Sequence, residues 1–140
     1  MTTKLQLDNY YHVLVIDRDA EWRHRMAEDL GTTLVVEKLD FLPDVGKLPR
    51  RYDGAILGLS DVAADNGVHT WIHEATRQGI KIMLVTLGKS RAPHKELNRM
   101  VGGIPVLHKD NYSPESLRIM VAEQLNIPSF DPRRNITHQP

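Results

Sequence analysis

The sequence contains no cysteine. That excludes a disulfide framework, a thiol nucleophile and any zinc site built on cysteine. It fits a reducing compartment, and a cytoplasmic location is expected. Excess charge is missing too: 18 Lys+Arg balance 18 Asp+Glu. A nucleic-acid-binding domain usually carries a strongly basic face or a high pI. Direct nucleic-acid binding by this domain is therefore not expected. No apolar run approaches the roughly 18 residues a membrane span needs, so no membrane partner is expected. The first fifteen residues hold Lys4, Asp8, Tyr10 and Tyr11 rather than an apolar signal core. There is no P-loop, no GxGxxG after the first strand and no GxSxG. A Ser-His-Asp set is not excluded by spacing, but nothing marks a nucleophile elbow. What is present is a 140-residue chain, 41% hydrophobic and 26% charged. That length fits one domain of roughly 100–200 residues, and the composition is that of a soluble globular protein.

Residues 1–10 are mixed and aperiodic and read as a lead-in. His12 to Ile16 is a mostly β-branched apolar run, as in a strand covered on both faces. Asp19 can cap a helix in which Trp22, Met26, Ala27 and Leu30 recur at helical spacing and Gly31 stops it. Thr33 to Val36 reads as a second strand. Pro43, Gly46 and Pro49 leave only a short, broken helix between Asp40 and Arg51. Asp53 to Leu57 reads as a third strand ending at Gly58. After a loop rich in small and acidic residues, Val68, Trp71, Ile72 and Ala75 mark a helix that ends at Gly79. Ile80 to Val85 is a fourth strand, Ala92 to Val101 a helix, and Ile104 to Leu107 a short fifth strand despite Pro105. Ser113-Pro114-Glu115 opens a last helix with Leu117, Met120, Val121 and Leu125 buried. Pro128 closes it, and residues 128–140 read as a tail.

The order is β-α repeated five times across 11–127. Alternating strands and helices imply an α/β fold, a five-stranded parallel sheet with helices on both faces. Ligands in such sheets bind outside the carboxyl ends of the strands. The residues standing there are Asp17, Arg18 and Asp19 after strand one, Gly58, Leu59 and Ser60 after strand three, Thr86 after strand four and Lys109 after strand five.

This constellation resembles the receiver domain of bacterial response regulators, the CheY-like fold. Tyr52-Asp53-Gly-Ala-Ile-Leu57 looks like the family's third strand. Asn66-Gly67 looks like the start of its third helix, and Gly102 to Lys109 aligns with its fifth-strand segment without a gap. The resemblance implies a doubly wound (βα)5 sheet of strand order 2-1-3-4-5. It also implies a magnesium-binding acidic pair after strand one and a phosphoacceptor aspartate after strand three.

The departures bear on function. Asp17 matches the first of the acidic pair, but Arg18 stands where the second belongs; Asp19 is close by and reads as a cap. Gly58 holds the phosphoacceptor position, and glycine has nothing to phosphorylate. Asp61 and Val62 replace the usual Met-Pro, Val106 replaces the aromatic switch residue, and Asp110 replaces the usual Pro. Only Asp17, Thr86 and Lys109 survive. Phosphoryl transfer on this fold needs a carboxylate nucleophile and a divalent cation, and magnesium needs oxygen ligands that arginine does not supply. Arg18 is expected to stand in for the metal's charge, paired with Asp17 or Asp61. Lys109 is expected to pair with Asp17 or to turn to solvent. Ser60 or Asp61 as a displaced acceptor would require the loop to fold back. No cofactor and no metal are expected.

His69 and His73 lie four apart on a helix and would need a third ligand to bind zinc; they read as solvent-exposed flanks of the apolar stripe. Trp22 and Trp71 read as packing. Lys89, Arg91, His94, Lys95 and Arg99 make a locally basic patch. Members of the family dock through their fourth helix, fifth strand and fifth helix. The candidate interface is therefore Arg91, His94, Lys95, Arg99, Arg118, Ile119 and Ala122, for a protein partner or a second copy.

Three functions follow. The first is a pseudo-receiver that lacks the phosphoacceptor and acts by protein interaction or dimerisation in signal transduction or transcriptional control. The second is a small-ligand sensor using the space left above Gly58. The third is a flavin enzyme, for which Asp17-Arg-Asp19 is a poor phosphate cradle.

Overall fold

The structure is a computed structural model and describes residues 10–59, 66–86 and 103–133. Five parallel strands form one sheet in the order β2-β1-β3-β4-β5. They are β1 His12–Asp17, β2 Val35–Leu39, β3 Gly54–Leu59, β4 Lys81–Thr86 and β5 Val106–His108. The α-helices are α1 Ala20–Leu30, α2 Asn66–Arg77 and α3 Pro114–Leu125. The helix expected over 92–101 lies outside the described residues, as do Ser60 and Asp61.

Strand side chains alternate between the two faces, and this divides the core. Leu14, Ile16, Ala55, Leu57, Ile82 and Leu84 pack with Val68, Trp71, Ile72 and Ala75 of α2. Val13, Val15, Ile56, Met83 and Val85 pack with Met26 and Leu30 of α1 and the apolar side of α3. Because β1 and β3 are covered on both faces, they read as continuous apolar runs.

The helix ends follow from local chemistry. The Asp19 carboxylate accepts from the amides of Glu21 and Trp22. Gly31 closes α1 at φ +77°, a conformation costly for any residue with a Cβ. Ser113 accepts from the Ser116 amide, and Pro114 takes a position whose missing N–H has no helical role. Asn126 ends α3 in the left-handed region.

Three boundaries differ from the expectation. The second strand runs over 35–39 rather than 33–36, through Glu37 and Lys38. It is an edge strand, and an edge strand carries charge without burying it. The fifth strand starts at 106 rather than 104, since Pro105 has no amide to donate; its carbonyl accepts from Leu84 instead. The segment from 128, read as a tail, is packed at its start. Pro128–Phe130 form a 3-10 turn, and Phe130 lies in the core beside α1 and α3. Between Asp40 and Arg51 only the 3-10 turn Val45–Lys47 forms, as the prolines and Gly46 require.

Candidate functional site

Parallel pairing sets the strand ends side by side. Asp17 lies opposite Gly58, Leu59 opposite Thr86, and Thr86 opposite His108. Lys109 follows directly after β5. Asp17, Thr86 and Lys109 are all buried. The sheet therefore brings together the three residues expected to survive.

The Asp17 carboxylate is fully engaged. Oδ1 accepts the Asp19 amide at 2.9 Å. Oδ2 accepts the Lys109 ammonium at 3.1 Å, with side-chain exposures of 2% for Lys109 and 1% for Asp17. The Asp17 carbonyl accepts from Arg23 Nη1 at 2.7 Å. Of the two fates expected for Lys109, the ion pair is the one observed.

Gly58 permits this arrangement. A Cβ built on it would lie 1.9 Å from Asp17 Oδ2, 2.5 Å from Cγ and 2.9 Å from Cβ. No real atom pair tolerates the first two. The Asp17 side chain thus leans across to β3 and fills the volume directly over the Gly58 Cα. The room expected above Gly58 for a ligand is occupied by the protein's own carboxylate. This is a correction with a simple cause: a buried ammonium needs a buried anion, and Asp17 reaches Lys109 only through the space a side chain at 58 would take.

Arg18 is exposed, beyond the buried ion pair. The Asp17 oxygens accept from Lys109 and from the Asp19 amide. The alternative partner for Arg18, Asp61, lies outside the described residues. Asp19 caps α1, which ties its carboxylate to backbone amides. Val106 is half-buried on the α2 side of the core. A magnesium ion does not fit this donor set. The Asp17 carboxylate is bound to an ammonium, the Asp19 carboxylate caps a helix, Arg18 offers no lone pair and Gly58 no side chain. Among the described residues, no group of three His, Asp or Glu side chains could hold a metal. His69 and His73 flank the buried stripe of α2, half-buried and exposed.

Trp22 packs against the core, as expected, and is also part of the site. It is half-buried, edge-on to Tyr112 with ring centroids 5.0 Å apart. The Lys109 ammonium sits 5.0 Å from its ring centroid and the Arg25 guanidinium 4.8 Å. Such cation–π contacts stabilise a desolvated ammonium. The Tyr112 hydroxyl donates to Asp29; burial, then that hydrogen bond, push its pKa far up. Sequence reasoning also missed Arg23 and Tyr112. The available signal was that Trp22 and Arg25 share one helix face, one turn beyond Asp19.

The candidate interface is only partly as expected. Ala122 is buried in the core. Arg118 donates to the Asp29 carbonyl at 2.9 Å and stacks on Phe130 at 4.9 Å. Both side chains face α1 and the packed C-terminal turn, not a docking surface. Ile119 is half-buried. Arg91, His94, Lys95 and Arg99 lie outside the described residues.

Solved structures share this architecture. The BeF3-activated DrrB receiver domain matches with a TM-score of 0.66 at 18% identity, over 84% of this chain and 98% of that one. The fold is that of a response-regulator receiver domain. A CheY-like receiver from Methanospirillum hungatei gives a TM-score of 0.66 at 18% identity, over 84% of this chain and 94% of that one. The RcsB chain from a structure of two dimers bound to DNA gives 0.63 at 16%, over 84% and 61%. No protein-family model matches the sequence, and a search of curated proteins found no match.

Proposed function

We propose that this chain is a receiver-like signalling module that works without aspartyl phosphorylation and without catalysing a reaction. Its strand-end pocket is closed by an internal ion pair, and it acts by binding another protein or a second copy of itself. The observation that carries this reading is the Asp17–Lys109 pair lying over Gly58. With Gly58 in place of an acceptor, Lys109 has no carboxylate on β3 to meet. Here a fixed carboxylate neutralises it permanently, so the arrangement resembles a receiver held in one charge state.

A doubly wound topology belongs to this proposal, but not the full (βα)5 expected, because a 3-10 turn stands between β2 and β3 where a helix was implied. A cytoplasmic place in a two-component or transcriptional pathway belongs to it as well. Among the described residues no helix is long and apolar enough to cross a membrane. The receiver-fold neighbours include RcsB, whose structure holds dimers on DNA; the docking face proposed here is β5 and the outer side of α3. The ligand-sensor alternative loses its main support, because Asp17 fills the vacated volume.

The test is acetyl phosphate with magnesium followed by intact mass measurement, alongside light scattering. No added phosphoryl group is expected, and the oligomeric state should not change on treatment. A phosphoryl group on Asp61, Ser60 or Asp17 overturns the reading.

A further inference from the structure

At the opposite end of the sheet, the amino ends of β3 and β4 frame a second concavity. This cleft of about 550 Å3 has Val45, Tyr52 and Ile80 in its floor and Arg50, Arg51 and Arg77 around it. The floor residues are buried and the arginines exposed. No carboxylate lines the cleft. Among the described residues, none pairs with these three guanidiniums.

The nearby acids are engaged elsewhere. Asp53 accepts the His12 amide, Asp44 the Gly46 amide, and Glu37 the Tyr52 hydroxyl. The three arginines come from two segments held together. Arg50 approaches His12 Nδ1 at 3.4 Å. Arg51 lies across the turn after α2, where a Cβ on Gly79 would be 3.7 Å from its Nη2. The carboxyl end of α2 opposes an anion with a partial charge of about −0.5. Its last carbonyls are already taken, by Gln78, Gly79 and Ile80 amides. Asp44, Glu37 and Asp53 keep their negative charges nearby, but each is tied to a neutral donor, which leaves the three exposed guanidiniums as the groups able to turn to an anion.

We propose that this cleft binds a polyphosphate anion, its phosphates held by Arg50, Arg51 and Arg77. Guanidinium forks match phosphate oxygens in pairs. Three of them around one cleft call for a ligand with several negative charges. The volume falls within the roughly 300–1,000 Å3 usual for small-molecule sites, and with Val45, Tyr52 and Ile80 buried the arginines are the groups that meet the ligand. The site is remote from Asp17 and Lys109, so this inference stands whether or not the strand-end pocket can be phosphorylated.

The experiment is calorimetric titration of the full chain with ATP, GTP and inorganic pyrophosphate. Saturable 1:1 binding is expected for each probe, since all three present linked phosphates. Arg51→Gln with Arg77→Gln should weaken it about ten- to a hundredfold, the range for lost charge-assisted hydrogen bonds. Lys38→Gln, on the exposed edge strand, should leave it unchanged. No binding of any probe at millimolar concentration overturns the proposal, and so does binding retained within twofold in the double variant. Amide NMR shifts in the unmutated chain give a check independent of variant folding. They should centre on Gly46, Arg51 and Gln78, and shifts centred elsewhere refute the site.

Discussion

Replacing Gly58 by alanine is the sharpest perturbation of the strand-end site. The new methyl would lie 1.9 Å from Asp17 Oδ2. The strand cannot retreat, because Gly58 is paired on both sides, with Asp17 and with Val85. Asp17 must therefore rotate away and release Lys109. Breaking a buried pair costs about 3–5 kcal/mol, because one charge stays buried without its partner. Lys109 keeps its contact with Trp22 and has a flexible stem, so the lower end, about 3 kcal/mol, is expected. For a domain of this size that lowers Tm by roughly 10 °C. The assay is urea and thermal unfolding followed by circular dichroism. A double-mutant cycle assigns the cause. Asp17→Ala is a poor partner, since the Asp17 Cβ itself would sit 2.9 Å from the new methyl. Asp17→Gly removes all three contacts. In that background Gly58→Ala should cost under about 1 kcal/mol, giving a coupling of about 2 kcal/mol or more. A cost for Gly58→Ala that is small, or equal in both backgrounds, refutes the reasoning.

Other expectations concern the rest of the fold. Phe130→Ala should cost about 3 kcal/mol by the usual large-to-small range, measured by urea unfolding; a neutral result would return residues from 128 to a tail. Asp19→Ala removes the α1 cap and should cost about 1 kcal/mol, seen as a lower urea midpoint. Burial and the Glu37 hydrogen bond push the Tyr52 pKa up to about 12. The unfolded chain loses that proton near pH 10 while the folded chain keeps it. The stability tied to Tyr52 is therefore complete below pH 10 and is lost as pH rises toward 12. Tyr112 is raised in the same direction, so Tyr52→Phe with Tyr112→Phe should flatten the alkaline limb of a stability–pH curve.

The strands β1, β3 and β4 and the three described helices were legible in sequence because their signals are local, whereas the strand order came from the family resemblance. Those signals lie in the apolar runs of β1, β3 and β4, the Asp19 and Ser113 caps, and the helical spacing around Trp71 and Leu117. The charged edge strand was misplaced because Glu37 and Lys38 carry no burial signal. Phe130 was missed because one aromatic among Pro, Ser and Asp gives no period. At the site, Asp17, Gly58, Thr86 and Lys109 were found by their positions at strand ends. Their geometry was not legible. That Asp17 leans over Gly58 depends on a pairing across 41 residues, and the place of Trp22 beside Lys109 on one across 87. Neither separation leaves a pattern in the sequence. The absence of a side chain at 58 was read as empty space, whereas the neighbouring strand fills it.

The most direct test of the closed pocket is amide NMR of the chain titrated with magnesium and beryllofluoride, a phosphoryl mimic. The ion pair predicts no shifts at Asp17, Gly58, Thr86 or Lys109 at millimolar additions of both. Saturable shifts centred on those four residues would show a working phosphoryl site and contradict the account.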